Sequence, residues 1–223
     1  VAIGVGTFTR VMALTVLALA PLINPAGVAP IFLSMTAGAS DAARSRLALR
    51  IARHSCILLI AAMLAGSSIL LLFGLTLAEI RIAGGLLVIA TAWQLVHAEH
   101  GFDSTVMTVS VDDHLRSLAH RSFYPLTFPV TIGPGSLAVA VTLGAGVRNG
   151  DELDLASLIG TIAGCVLVSS TIYVCYRFAS RAAKLLGTAG TLVVLRLSAF
   201  ILLSIGVKIL GDGLAARFAT GSA

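Results

Sequence analysis

Pro21-Leu22-Ile23-Asn24-Pro25-Ala26-Gly27-Val28-Ala29-Pro30 lies in the middle of an uncharged run from Val11 to Ser40. A second uncharged run, Ser122 to Val147, contains Pro125-Leu126-Thr127-Phe128-Pro129-Val130-Thr131-Ile132-Gly133-Pro134-Gly135-Ser136. Proline removes a backbone donor and clashes with the preceding turn, and glycine weakens a helix further. Three prolines within ten residues therefore predict a broken helix in the first run. That run is also 30 residues long, about ten more than a straight bilayer crossing needs. Two half-helices meeting at a break fit its length better than one continuous rod.

The surrounding composition identifies the solvent. Apolar residues make up 57% of the 223 residues and charged residues 11%, against about 45–50% and 25% in soluble domains. Mean hydropathy is +1.00. So few charges cannot cover a water-soluble surface of this size, so the chain is expected to be an integral membrane protein. The further uncharged runs are Ser55–Ala78, Ile82–Ala98 and Leu155–Tyr176, and Thr191–Gly211 carries charge only near its ends. Six transmembrane helices are expected, with connections around Asp41–Arg53, Glu79–Arg81, Arg148–Asp154 and Arg177–Lys184. The longest connection, Glu99–Arg121, divides the chain into residues 1–98, a cytoplasmic central loop at 99–121, and residues 122–223.

The net charge of +5 comes from Lys and Arg gathered between apolar runs, which is a topology signal and not a nucleic-acid footprint. Arg44, Arg46, Arg50, Arg53, Arg116, Arg121, Arg177, Arg181 and Lys184 fall on one side of a six-span layout. Arg10, Arg81, Arg148 and Arg217 fall on the other. The richer side is cytoplasmic by the positive-inside rule, which places both termini outside. Cys56, Cys165 and Cys175 sit within apolar runs without metal-site spacing and read as small apolar residues.

The two proline-glycine breaks are related. With an offset of 109, Leu17 falls on Leu126, Ile23 on Ile132, Pro25 on Pro134 and Ala29 on Ala138; Ile80-Arg81-Ile82 matches Leu195-Arg196-Leu197 at 115. Each break opens a block of three spans. A three-span block ends on the opposite side of the bilayer from its start, so two in series are inverted relative to each other. The expected fold is thus all-α, with two inverted three-helix repeats whose first and fourth helices are discontinuous.

On these residues the chain resembles the MarC family of bacterial inner-membrane proteins, also classed as SnatA-like six-span neutral amino acid transporters. The resemblance is carried by Asn24-Pro25-Ala26-Gly27-Val28-Ala29-Pro30-Ile31-Phe32, by Pro125-Leu126-Thr127-Phe128-Pro129, and by Gly133-Pro134-Gly135-Ser136. It extends along nearly the whole chain, although Ala26 stands where a bulkier apolar residue is frequent in the family. It implies small neutral amino acids such as glycine and alanine as substrates, and a bacterial inner-membrane location.

The breaks themselves suggest a site. The N-terminal end of a half-helix offers free N–H groups and partial positive charge to a carboxylate, while unwound carbonyls suit an ammonium. Asn24, Pro25, Ala26 and Gly27 with Thr131, Gly133, Pro134, Gly135 and Ser136 are the substrate-binding candidates. Together they offer an amide, hydroxyls and close backbone approach, and no charged side chain. Read as packing alone, the same motifs are kinks that let helices cross. The mechanism expected of a site is alternating access at the bilayer midplane, with H+ or Na+ as the candidate coupling ion and no cofactor. The rival readings are a non-transporting membrane organiser or channel, and behind it an intramembrane enzyme. For the enzyme, no span holds a deep carboxylate pair or a zinc motif.

Secondary features divide similarly. Arg81 and Arg196 are interface anchors, or gates pairing with Glu79 or Asp212. Trp93 reads as interfacial and Gln94 as facing the bundle. Gly160-x-x-x-Gly164 fits a close helix crossing, within the chain or between copies of an oligomer. His97, His100, His114 and His120 read as solvated, with a metal site as the lesser alternative. The expected partners are the lipid bilayer, a small neutral amino acid and, in an oligomer, further copies of the chain; nucleic acid is not indicated.

Overall fold

The computed structural model describes residues 4–97, 122–145, 148–149 and 152–220. Helix α1 (Val5–Ile23) is followed after one residue by the short α2 (Pro25–Met35), then by α3 (Asp41–Leu72) and α4 (Leu77–His97). The second half opens with a wide-turned segment, Ser122–Thr131, and continues with α5 (Pro134–Ala145), α6 (Leu155–Arg177) and α7 (Ala179–Thr220). A two-residue antiparallel pair, β1 (Arg148–Asn149) with β2 (Glu152–Leu153), precedes α6. This small ladder is the departure from a purely helical chain. The expected central loop at 99–121 lies outside the described residues.

Among the described residues, five helices are long and apolar enough to cross a membrane: residues 6–23, 41–66, 77–94, 155–177 and 189–218. Ser122–Thr131 and α5, bent by 76° to one another, make a sixth if taken together. Exposed side chains along these helices include Leu17, Ile57, Trp93, Leu197 and Phe200, the surface expected of a chain solvated by lipid.

Several connections expected from charge are helical. Asp41–Arg53 forms the opening turns of α3, Glu79–Arg81 lies in the first turns of α4, and most of Arg177–Lys184 belongs to the ends of α6 and α7. Arginine, alanine and leucine are good helix formers whatever their polarity, so charge marked where the apolar solvent ends and not where the helix ends. At about 1.5 Å per residue the 32 residues of α3 span roughly 48 Å, well beyond a hydrocarbon layer of about 30 Å. Within α7, Gly187 takes φ 64°, a left-handed conformation that side chains disfavour. The turn separates a polar first stretch from the apolar one.

The packing follows a regular scheme. Helix α4 lies along α7, and α3 along α6. Helix α1 packs on α6 and α5, while Ser122–Thr131 packs on α3 and α2. Helix α2 also rests on α6 and α7, and α5 on α3 and α4. The α4–α7 contact is antiparallel, since Gly85 abuts Leu210, Ile89 abuts Gly206 and Ile82 abuts Gly213. At the α1–α6 crossing a methyl group at Gly160 would sit 2.8 Å from the Phe8 carbonyl, and one at Gly164 2.6 Å from Thr15 Cβ. The Gly160/Gly164 pair thus serves a crossing within the chain.

The main core joins both halves: Leu19, Ile23, Phe32, Ile51, Leu59, Ile132, Val168 and Tyr176 are all buried in it. A smaller cluster, Leu22, Val88, Ala92, Ala199 and Leu202, seals the α4–α7 side. Two polar devices fix element ends. Arg44 donates from Nε to Thr36 Oγ1 at 3.3 Å and from Nη2 to the Thr36 carbonyl at 3.1 Å, closing the C-terminus of α2. Asp154 caps α6, accepting from the Ala156 and Ser157 amides, each at 3.2 Å, and from the Ser157 hydroxyl. The Ser157 hydroxyl above all, with the two amides, holds the Asp154 carboxyl below the ordinary carboxylate range against an opposing desolvation that outweighs either amide alone.

Candidate functional site: two interrupted segments

The first break is a single residue. Asn24 sits at φ 45°, ψ 57°, a left-handed conformation that asparagine tolerates better than most residues. Its N–H still donates to the Ala20 carbonyl at 2.9 Å, ending α1. Its Oδ1 accepts from the Gly27 amide at 3.1 Å and its carbonyl from Val28 at 3.0 Å, starting α2. Pro25 occupies the first position of α2, where its missing N–H costs the new helix nothing. The same missing N–H deprives the Pro21 carbonyl of its i+4 donor. Gly27 is buried directly under the Asn24 amide, where any side chain would collide.

One donor at this break stays unspent. Asn24 Nδ2 is buried and has no hydrogen-bond partner. A buried N–H left without an acceptor costs about 1–3 kcal/mol, so its retention calls for an occupant or a role.

The second break is longer. Tyr124 and Phe128 are extended, at φ −117°, ψ 128° and φ −120°, ψ 128°. Each precedes a proline, and proline drives the residue before it out of the helical region. Both X–Pro bonds are cis. Side chains and wide turns replace the lost ladder: Thr127 Oγ1 donates to Ser122 O at 2.7 Å, Thr131 Oγ1 to Leu126 O at 2.6 Å, and the Ile132 amide to Thr127 O at 2.7 Å. The chain then turns at Ile132–Gly133 into α5, where the Leu137 amide donates to Gly133 O at 3.2 Å.

The nine candidate residues divide by environment. Pro25, Gly27, Thr131, Gly135 and Ser136 are buried, Asn24 and Gly133 half-buried, and Ala26 and Pro134 exposed. Gly135 packs on α4, where a methyl group would strike Val88 and come within 3.3 Å of the Gly84 carbonyl. No hydrogen bond runs directly from Asn24–Gly27 to Thr131–Ser136 among the described residues. The two motifs meet through the core, where Ile23 and Ile132 are both buried, and through one side chain the sequence reading missed.

That side chain is Tyr176, on the last turn of α6. Its ring stacks on Phe32 of α2 at 4.6 Å between centroids, and its hydroxyl pairs with Thr131 Oγ1 at 2.9 Å. It therefore ties the short helix after the first break to the threonine ending the second segment. Its sequence signal was slight: one of three tyrosines, at the edge of an apolar run.

The arginine gates are corrected. Glu79 lies 3.9 Å from Arg217 and bonds Thr76, while Lys208 takes Asp212 at 2.8 Å. Geometry leaves neither acid on Arg81 or Arg196, because Glu79 turns back to cap α4 and Lys208 is one turn from Asp212. Gln94 is exposed and does not face the bundle. Trp93 is exposed beside His97, with ring centroids 4.3 Å apart. His100, His114 and His120 lie outside the described residues.

Comparison with known proteins adds identity to this geometry. Residues 8–218 match the family described as MarC family integral membrane protein. The chain belongs to the MarC family. Among MarC-family relatives, it is 32% identical over 197 residues to the UPF0056 membrane protein YvbG of Bacillus subtilis, covering 87% of this chain and 90% of the relative. It is 26% identical over 207 residues to the UPF0056 inner membrane protein MarC of Salmonella typhimurium, covering 92% and 94%. The UPF0056 membrane protein YhcE of Escherichia coli is 26% identical over 197 residues, 88% of each chain. No solved structure matches the chain. These names describe membrane proteins and assign no substrate.

Proposed function

We propose that this MarC-family chain is a secondary transporter of small neutral amino acids, of the glycine and alanine class. The observation that carries the reading is the Asn24 amide, a buried donor without a protein partner, placed at the N-terminus of α2. A substrate carboxylate accepts from Asn24 Nδ2 and is favoured by the positive end of the α2 dipole. The substrate ammonium takes the carbonyls that the prolines leave without i+4 donors. A zwitterion needs no charged side chain at such a site, and neither motif has one. Gly133–Ser136 is the proposed opposite wall, where Gly133 leaves the backbone open to close approach while Gly135 packs on α4.

The proposed architecture is a pair of inverted three-helix repeats, each opened by a discontinuous span. The packing scheme supports it. Exchange α1 with Ser122–Thr131, α2 with α5, α3 with α6 and α4 with α7, and the principal contacts map onto one another. Ser55 and Ser169, 114 positions apart, are both buried with unpartnered hydroxyls, an offset between the 109 and 115 of the sequence matches. Transport follows by alternating access, one repeat rocking against the other around a midplane site. The protein resides in the bacterial inner membrane, as the relatives' name suggests, with both termini outside. H+ or Na+ is the coupling ion to be tested.

Counterflow in liposomes tests the reading. Wild-type protein loaded with unlabelled glycine or alanine should accumulate the labelled amino acid saturably, and Asn24→Gly should do so with weakened apparent affinity. Absence of saturable exchange in folded wild-type protein would favour the membrane organiser or channel instead.

A further inference from the structure

A second polar feature lies apart from the nine substrate-binding candidates, where α3 meets the start of Ser122–Thr131. A cavity of about 330 Å³ is lined by Arg50, Arg53, His54, Ile57 and Ser122, within the range of about 300–1,000 Å³ typical of ligand pockets. Arg50 and Arg53 are exposed. Neither makes an ion pair or hydrogen bond with another described residue. His54 Nδ1 is buried and without a partner, its ring held edge-on to Phe123 at 5.8 Å.

The depth of this cavity can be read from α3. Its first thirteen residues, Asp41–Arg53, hold one Asp and four Arg, while Ser55–Leu72 holds no charge. The cavity therefore lies where the charged part of α3 gives way to the apolar part, the level of lipid headgroups. Directly beside it, Ile57, Phe123 and Tyr124 are 64%, 47% and 66% exposed. Aromatic rings at that level mark an interface belt, and an exposed apolar wall beneath two guanidinium groups matches an acyl chain below a phosphate.

We propose that this cavity is a binding site for a phosphate ester, supplied by the headgroup of an anionic phospholipid. Arg50 and Arg53 donate charge-assisted hydrogen bonds to the phosphate oxygens, for which the planar guanidinium is suited. The His54 ring nitrogen supplies a further donor, and Ile57 with the neighbouring aromatics receives the acyl chains. The site is independent of the transporter reading, since it uses none of the nine substrate-binding candidates.

Thermal unfolding of the purified full chain in detergent tests it, with added phosphatidylglycerol, phosphatidylcholine or inorganic phosphate. Phosphatidylglycerol should stabilise the wild type and phosphatidylcholine should not. Losing about fivefold per arginine, Arg50→Gln with Arg53→Gln should raise the half-saturating phosphatidylglycerol concentration roughly 30-fold. Arg46→Gln, on the same charged stretch but outside the cavity, should leave it unchanged, and Arg50→Lys with Arg53→Lys should fall between. If inorganic phosphate gives the same arginine-dependent stabilisation, the phosphate site stands and its source is a soluble anion. Undiminished phosphatidylglycerol stabilisation in the double glutamine variant, or no stabilisation of the wild type by either probe, overturns the proposal. Photoreactive phosphatidylglycerol provides a readout that does not need the double variant to fold: labelling should map to residues 50–57 and 122–124, and labelling elsewhere overturns it.

Discussion

At the scale of single residues, Asn24 has two separable duties. Its Oδ1 caps α2 through Gly27, and its Nδ2, buried without a partner, is the donor proposed for the substrate. Asn24→Gly keeps the left-handed backbone at φ 45° and costs the cap only a few tenths of a kcal/mol. Asn24→Ala adds about 1–2 kcal/mol of left-handed strain. The glycine variant should therefore retain near wild-type thermal stability while glycine and alanine affinity, measured by calorimetry, falls about 2- to 12-fold, the worth of one hydrogen bond of roughly 0.5–1.5 kcal/mol. Equal affinity in the two proteins would remove Asn24 from the site. Tyr176→Phe keeps the stack on Phe32 and deletes the bond to Thr131, so its unfolding free energy should drop by about 0.5–1.5 kcal/mol. Asn24 as the joint between α1 and α2 was legible in the sequence, because an asparagine between prolines interrupts an apolar run. Tyr176 was not, since its partners lie 45 and 144 positions away in the chain and only tertiary packing joins them.

At the scale of elements, the apolar runs and both breaks were visible because bilayer thickness and proline chemistry act locally. Helix ends were less visible. Asp41–Arg53 carries enough charge to look like a connection, yet nothing in it opposes helix, and α3 runs through it unbroken. The Gly160/Gly164 stripe was legible as a crossing, while its partner α1 was not. Gly164→Leu should overpack that crossing against Thr15 and destabilise the protein by about 1–3 kcal/mol in detergent unfolding. The N-terminus of α6 carries a pH dependence. Because the folded Asp154 carboxyl lies below its unfolded value, it contributes stability above the ordinary carboxylate range of about 4, and that contribution is lost as pH falls through the lower folded value. Acidification below about pH 4 should thus lower the wild-type melting temperature more steeply than that of Asp154→Asn. Parallel curves would mean that the cap is not felt in global unfolding.

At the scale of the whole molecule, the biased distribution of Lys and Arg sets an orientation that can be read directly. A reporter fused after Ala223 should register the outer side, and one inserted near Ser110 the cytoplasm. Cytoplasmic signal from the C-terminal fusion would reverse the orientation proposed above. The interchange of packing partners between halves was only faintly legible in sequence, as a few matched residues, because apolar side chains substitute for one another without changing which helices touch.

Helix α2 is held at its first residue by the single left-handed joint at Asn24 and beyond its last by the Arg44 grip on Thr36. Its two ends are fastened differently, by a one-residue joint at the first and a guanidinium tie to the long α3 at the second, with Phe32 stacked on Tyr176 between them. Arg44 thereby ties the charged end of α3 to a helix whose other end is the joint at Asn24, so that one short element connects the headgroup level to the first break.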